Sequence, residues 1–134
     1  MKRKILIVMA NYYKHISDGL LNSAKKQLLE PARLIMVPGV FEIPVTIAKN
    51  IRKYDGFIAL GCVIKGKTPH FDLISKAAID GIMKLSIEHK KPIGNGIITC
   101  LNEKQALSRK GKGQEAAAAV LSVLDSIDVS LDEW

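Results

Sequence analysis

Apolar residues along this chain fall into two kinds of pattern. Four short runs are apolar and β-branched without regular alternation: Ile5–Met9, Leu34–Val37, Phe57–Ile64 and Ile93–Thr99. Such runs predict strands of a sheet covered on both faces. Between them, apolar positions recur at helical spacing. Ser17 or Asp18 is placed to cap a helix running to about Glu30, with Leu21, Ala24 and Leu28 on one face. A second helix is expected to begin near Pro44, because proline is tolerated in a first turn. A third follows Pro69, with Phe71, Ile74, Ala78, Ile82 and Leu85 recurring at helical spacing. The last spans about Gln114 to Ile127, with Ala117, Val120, Leu121 and Leu124 facing the core. The resulting order β-α-β-α-β-α-β-α predicts right-handed crossovers and a parallel sheet between two helical layers.

Composition narrows this picture. The 134 residues fit one domain spanning 1–134, with a short acidic tail at 128–134 that is expected to be loosely held. Apolar residues at 48% and charged residues at 25% are ordinary for a globular chain. No apolar run approaches the roughly 20 residues of a membrane span, so no membrane partner is expected. The opening Met-Lys-Arg-Lys resembles the start of a signal peptide, but Ile5–Ala10 is short and leads into polar residues. It reads better as a first strand, and a cytoplasmic protein is expected. The net charge of +7 favours anionic partners without choosing among phosphate-bearing metabolites, nucleic acid and lipid. Cys62 and Cys100 lack metal-ligand spacing and sit at the ends of apolar runs, where buried thiols are expected. His15 and His89 show no paired acid in the sequence and read as surface residues, while the lone tryptophan, Trp134, carries no assignment.

In an open parallel sheet, ligands bind beyond the carboxyl ends of the strands. Four loops start there: Ala10–Ile16, Pro38–Pro44, Lys65–His70 and Cys100–Lys104. In the third, Gly66 permits close approach of a ligand, Thr68 is a candidate N-cap and Pro69 fits the first helical position. The free N–H groups of that turn, with Lys65 and Lys67 beside them, would hold an anion. His70 falls in the same turn, and an imidazole suits proton transfer near neutrality. A capped helix with a surface histidine reads equally well from these residues. The stretch Gly61–Thr68 also satisfies the phosphate-loop expression G-x-x-x-x-G-K-[ST], although Cys62-Val63-Ile64 looks like continuing strand.

The other loops also admit two readings. Phe41 and Glu42 follow the restrained Pro38-Gly39 turn either as ligand contacts or as a core aromatic and a favourable helix-start charge. Tyr12 and Tyr13 offer rings that would stack on a flat heterocycle or pack at the sheet end. Arg109, Lys110 and Lys112 form a basic cluster that is either a solvated turn or an anion clamp.

Taken together, Val37-Pro38-Gly39-Val40-Phe41-Glu42-Ile43-Pro44 and Gly61-Cys62-Val63-Ile64-Lys65-Gly66-Lys67-Thr68-Pro69-His70-Phe71-Asp72 resemble the 6,7-dimethyl-8-ribityllumazine synthase family. Glu103-Lys104-Gln105-Ala106 and Gly111–Ala116 support the resemblance in the same order. The resemblance implies a three-layer αβα sandwich with a four-stranded parallel sheet, flavodoxin-like. It implies an enzyme of riboflavin biosynthesis that condenses a ribitylamino-uracil with a butanone phosphate, without metal or organic cofactor. His70 would then be the proton-transfer residue and Tyr12 the pyrimidine-stacking aromatic. Val40, Phe41 and Glu42 match the segment holding the ribityl chain; Val63 and Ile64 match backbone contacts to the pyrimidine; Gly66, Lys67 and Thr68 match the phosphate loop. Arg109 matches a phosphate-binding arginine, and Lys112 a lysine near the pyrimidine end. Asn95 stands where many members carry a phenylalanine, although some have Gly-Asn-Gly there. The family supplies these last groups from a neighbouring subunit, so a homo-oligomer built of pentamers is implied. Tyr13 replaces the asparagine common after the aromatic, Lys67 replaces a small or acidic residue, and the segment from Arg109 to Lys112 is shorter than usual.

Overall fold

The computed structural model describes residues 3–66 and 70–133. Its elements are β1 (Ile5–Ala10), α1 (Lys14–Gln27), β2 (Arg33–Val37), α2 (Ile43–Asn50), β3 (Gly56–Ile64), α3 (His70–His89), β4 (Ile93–Cys100), α4 (Glu103–Ser108) and α5 (Lys112–Leu124). A 3-10 turn at Val40–Glu42 leads into α2, and another at Leu131–Glu133 lies in the tail. The four strands pair in parallel in the order β2-β1-β3-β4.

The side-chain period of two divides the strands between two cores. Ile5, Ile7 and Met9 of β1, with Ile58, Leu60 and Cys62 of β3, pack beneath α1, α4 and α5. Leu6, Val8 and Ala10, with Phe57 and Ala59, pack on the opposite face against α2 and α3. The arrangement is a three-layer αβα sandwich of the flavodoxin-like kind. The chain steps from β1 to β2 in one direction and then returns past β1 to β3 and β4. Crossovers of one hand therefore put α1 on one face and α2 and α3 on the other. The point where direction reverses lies between β1 and β3, where an open α/β sheet presents its ligand crevice.

Four local expectations need correction. The first helix opens at Lys14, not at Ser17 or Asp18. Tyr13 precedes it, and the Tyr13 carbonyl accepts the Ile16 and Ser17 N–H groups. Buried Ser17 instead donates its hydroxyl to the Ala10 carbonyl at 2.6 Å, closing the end of β1, while Asp18 pairs with Lys14 at 3.0 Å. That helix stops at Gln27 because Leu28 turns extended, ahead of a Glu30 that Pro31 steers away from helical dihedrals. The last helix is shifted toward the N-terminus, from Lys112 to Leu124, and leaves Ile127 exposed.

Coverage of both faces holds for β1 but not for β2, where Leu34 is 42% and Met36 56% exposed. β2 is an edge strand, and α1 leans across the sheet onto α5, so nothing among the described residues shields that corner. Finally, residues after Cys100 form the short helix α4. The Asn102 Oδ1 accepts the Gln105 N–H at 2.8 Å, and Gln105 Oε1 accepts the Leu101 N–H at 2.7 Å. Asn-x-x-Gln is a variant of the capping box, a signal present in the sequence.

Two glycines allow α5 to seat deeply. A Cβ at Gly94 of β4 would lie 2.2 Å from the Ala116 carbonyl oxygen, and one at Gly113 would lie 2.1 Å from that of Leu20. The helix that carries Lys112 is thus located by backbone contacts on two sides.

Candidate active site

A cleft of about 510 Å3 opens at the carboxyl ends of β1 and β3, where the topology reverses. The loop after β1 supplies Tyr12 and Tyr13. Its backbone is fixed by the Asn11 N–H bonded to the Val37 carbonyl at 3.1 Å and by the start of α1. Tyr12 projects from this anchored loop with 75% of its surface exposed. The loop after β2 supplies the 3-10 turn, in which buried Val40 acts as the anchor and Phe41 is 60% exposed at the cleft. Phe41 is therefore not a core residue but stands at the rim of the cleft. Glu42 lies beside it, at the residue before α2, with its carboxylate folded back near Gly39. Thr46 donates to the Glu42 carbonyl at 2.8 Å and holds the turn onto α2.

β3 forms the floor with Cys62, Val63 and Ile64. The Lys65 N–H donates to the Cys100 carbonyl at 2.8 Å, which carries the β3–β4 ladder one residue past the strand. This disposes of the phosphate-loop reading. Gly61 to Ile64 are strand, and Gly61 is there for packing, since a Cβ would meet Val40 Cγ2 at 2.7 Å. His70, the first residue of α3, is exposed and lines the same cleft, with Ile74 one turn further on. Gly66 is exposed, meets no other described residue where a Cβ would stand, and does not line this cleft. Lys67, Thr68 and Pro69, where the sequence suggests an N-cap and phosphate contacts, lie outside the described residues, as does Trp134.

Asn95, Arg109 and Lys112 are not part of that cleft. They line a second one, of about 610 Å3, on the far side of β4, together with Thr99 and Glu115. Its wall is the open edge of the sheet. The Phe57 and Lys65 N–H groups bond the carbonyls of Pro92 and Cys100, so even-numbered β4 residues face β3 and odd-numbered ones face outward. Two outward backbone groups are capped by side chains. Asn95 Oδ1 accepts the Ile97 N–H at 3.0 Å, and Arg109 Nη1 donates to the Thr99 carbonyl at 3.1 Å. Both contacts blunt an edge that would otherwise invite pairing. The remaining guanidinium donors are available to an anion, while Lys112 Nζ sits 3.9 Å from Glu115.

Several contacts near the first cleft join residues far apart in sequence. His15, which looks unpaired in the sequence, has its Nε2 2.8 Å from Glu103 Oε1, tying the start of α1 to that of α4. Cys62 and Cys100 are free, buried thiols on neighbouring strands. Burial, then the adjacent Cys100 and a thiol hydrogen bond to it, push the Cys62 thiol up to about 12, leaving it protonated and a poor nucleophile. Partial burial, followed by the neighbouring Tyr12, Cys62 and Glu103, also raises the Tyr13 phenol above its ordinary value.

Comparison with known sequences bears on what this geometry serves. A family profile described as 6,7-dimethyl-8-ribityllumazine synthase matches residues 2–128. A protein of that name from Cutibacterium acnes is 40% identical over 96% of this chain and 84% of its own length. Those from Agrobacterium fabrum and Novosphingobium aromaticivorans are 41% and 44% identical, over 92% and 90% of this chain and 94% of their own lengths. The chain belongs to the 6,7-dimethyl-8-ribityllumazine synthase family. Within this family assignment, Tyr12, Val40, Phe41, Glu42, Val63, Ile64 and His70 converge on one cleft, while Asn95, Arg109 and Lys112 gather at the other. Tyr13, Gly39, Cys62 and Ile74 complete the first lining, and Ile79, Thr99 and Glu115 are among the further residues of the second. Ile74 was findable from the helical spacing that places it four residues after His70. Among the described residues, no helix is long and apolar enough to cross a membrane.

Proposed function

We propose that this chain condenses 5-amino-6-(D-ribitylamino)uracil with 3,4-dihydroxy-2-butanone 4-phosphate, giving 6,7-dimethyl-8-ribityllumazine, phosphate and two waters. This is the penultimate step of riboflavin biosynthesis. The observation that carries the reading is the convergence of Tyr12, Phe41, Glu42 and His70 on one cleft at the sheet's reversal point, in a chain of this family.

The primary amine of the pyrimidine attacks the ketone carbon and water leaves, forming an imine. Loss of a proton and departure of phosphate follow, and attack of the ribitylamine nitrogen on the remaining carbonyl closes the ring with loss of a second water. His70 moves the protons of these steps. Tyr12 stacks on the pyrimidine, Val40, Phe41 and Glu42 receive the ribityl chain, and the backbone at Val63 and Ile64 contacts the pyrimidine ring. Gly66, Lys67 and Thr68 hold the phosphate. No metal or organic cofactor takes part, because both reactants carry the functional groups the condensation requires. Much of the advantage comes from holding two reactive partners together.

Arg109, Lys112 and Asn95 complete the site from a neighbouring copy. Within one chain, the aromatic cleft and the cationic cleft are lined by separate sets of residues on the two sides of β4. In the proposed assembly a second copy brings its cationic cleft to the first copy's aromatic one. Contact between unlike patches is heterologous, and such a contact makes a ring where its rotation closes; the proposed ring is a pentamer. The partners are thus two small molecules and further copies of the chain, with neither nucleic acid nor membrane, in the cytoplasm.

The test is to mix purified protein with both substrates and follow the fluorescent lumazine. The reading requires a rate above the spontaneous condensation that scales with assembled protein; a rate equal to the protein-free control rejects it.

A further inference from the structure

We infer that Tyr13 is a positioning residue that sets the orientation of the Tyr12 ring in the first cleft; the inference rests on the condensation proposed above, in which Tyr12 stacks on the pyrimidine. The backbone of the β1–α1 loop is well fixed. Asn11 bonds Val37, the Tyr13 carbonyl accepts two helical N–H groups, and Ser17 closes on Ala10. None of these contacts fixes the Tyr12 side chain, which is 75% exposed and so gains little orientation from burial.

What meets the Tyr12 ring is the ring of Tyr13, with centroids 4.9 Å apart and planes at 77°. Edge-to-face is a preferred arrangement for two aromatic quadrupoles, whose positive edge meets a negative face. Tyr13 is a sound support because it is itself held. It is half-buried and packs against the core that contains Cys62 and Cys100. A T-shaped pair engages at most one face of Tyr12, so the other stays open to stack on a flat ring. An exposed aromatic without such a neighbour would lose rotational freedom on stacking, and a tilt fixed beforehand removes that loss.

The experiment compares wild type with Tyr13→Leu and Tyr13→Phe. Leucine keeps apolar packing without a ring edge, and phenylalanine keeps the edge without the hydroxyl. Tyr13→Leu is expected to raise KM for the pyrimidine amine about two- to tenfold, the span of such aromatic pairs. KM for the butanone phosphate and kcat should hold, and Tyr13→Phe should return the pyrimidine KM to the wild-type value. A parallel rise in both KM values together with a lower Tm would mean that Tyr13 only packs the loop, and would overturn the proposal. Crystal structures of substrate-free wild type and Tyr13→Leu give a readout independent of catalysis. One Tyr12 rotamer in wild type and a shifted or divided one in the variant supports positioning; the same rotamer in both overturns it. Absence of lumazine formation by wild type would instead sink the proposed function, leaving the rotamer comparison to decide the role of Tyr13.

Discussion

Replacing Gly94 with alanine tests how the second cleft is held in place. The added Cβ would stand 2.2 Å from the Ala116 carbonyl oxygen, 2.8 Å from its carbon and 2.9 Å from Val120 Cγ2, whereas ordinary contact begins at 3.4 Å. Two of these three atoms are backbone, so no change of rotamer relieves the clash. The helix α5 must retreat from β4 by about 1 Å, loosening the core around Val120. Overpacking of this kind costs roughly 1–3 kcal/mol. In a chain of this size each kcal/mol corresponds to roughly 3–4 °C, so Tm should fall by about 3–12 °C. Thermal unfolding followed by circular dichroism measures this, at one fixed protein concentration because assembly itself shifts Tm. The control is Gly111→Ala. Gly111 has helical dihedrals, φ −64 and ψ −12, with nothing within 4 Å of an added Cβ. It should lose no stability, and reduced freedom of the unfolded chain predicts a gain of a few tenths of a kcal/mol. If Gly94→Ala melts within 1 °C of wild type, α5 is not seated by that contact, and the account of how Lys112 reaches the second cleft fails with it.

Three further outcomes are expected. His70→Ala should lower kcat about 10- to 100-fold with modest change in either KM, at the low end of general acid–base effects because positioning survives; an unchanged kcat in the two-substrate assay removes His70 from proton transfer. Arg109→Ala should raise KM for the butanone phosphate about tenfold or more while leaving that for the pyrimidine, and an untouched phosphate KM would show the clamp assignment to be wrong. The raised Cys62 thiol predicts an alkaline loss of stability: the unfolded thiol ionises from about pH 9, whereas the folded one stays protonated until about pH 12. The folded state therefore holds more protons across that window, and stability present below pH 9 is lost as pH rises through it. Tyr13 adds a loss of the same sign above its ordinary value. Urea titrations between pH 8 and 11 should show a shallower decline for Cys62→Ala, at a cost of roughly 1 kcal/mol at neutral pH for the vacated space; parallel declines would mean that burial does not hold the Cys62 proton.

The strands were legible because apolar runs without helical period declare themselves within a few residues. Ile5–Met9 and Phe57–Ile64 each lengthened by one residue in the structure, and neither moved. The third helix was legible because Ile74, Ala78 and Ile82 share one face. Helix starts were harder. Ser17 has the chemistry of an N-cap, but its hydroxyl bonds a strand carbonyl seven residues back, a choice available only once β1 and α1 are packed. The Asn102–Gln105 cap, by contrast, was written locally and was readable.

By itself the sequence determined an α/β chain and, through Val37–Pro44 and Gly61–Asp72, its family. Only the tertiary structure decided which loops share a cleft. His70 lies 58 positions after Tyr12 yet lines the same wall, because β1 and β3 are neighbours at the reversal of the sheet. Arg109 is 39 positions beyond His70 but turns away, because β4 stands between them with its outer edge capped. Exposure of Leu34 and Met36, the His15–Glu103 pair and the edge-on contact beneath Tyr12 also followed from packing. Hydrophobic period is a local code, set by dihedrals and side-chain direction within a few residues. Strand order and the face each helix covers are global choices, and the meeting of distant side chains depends on both.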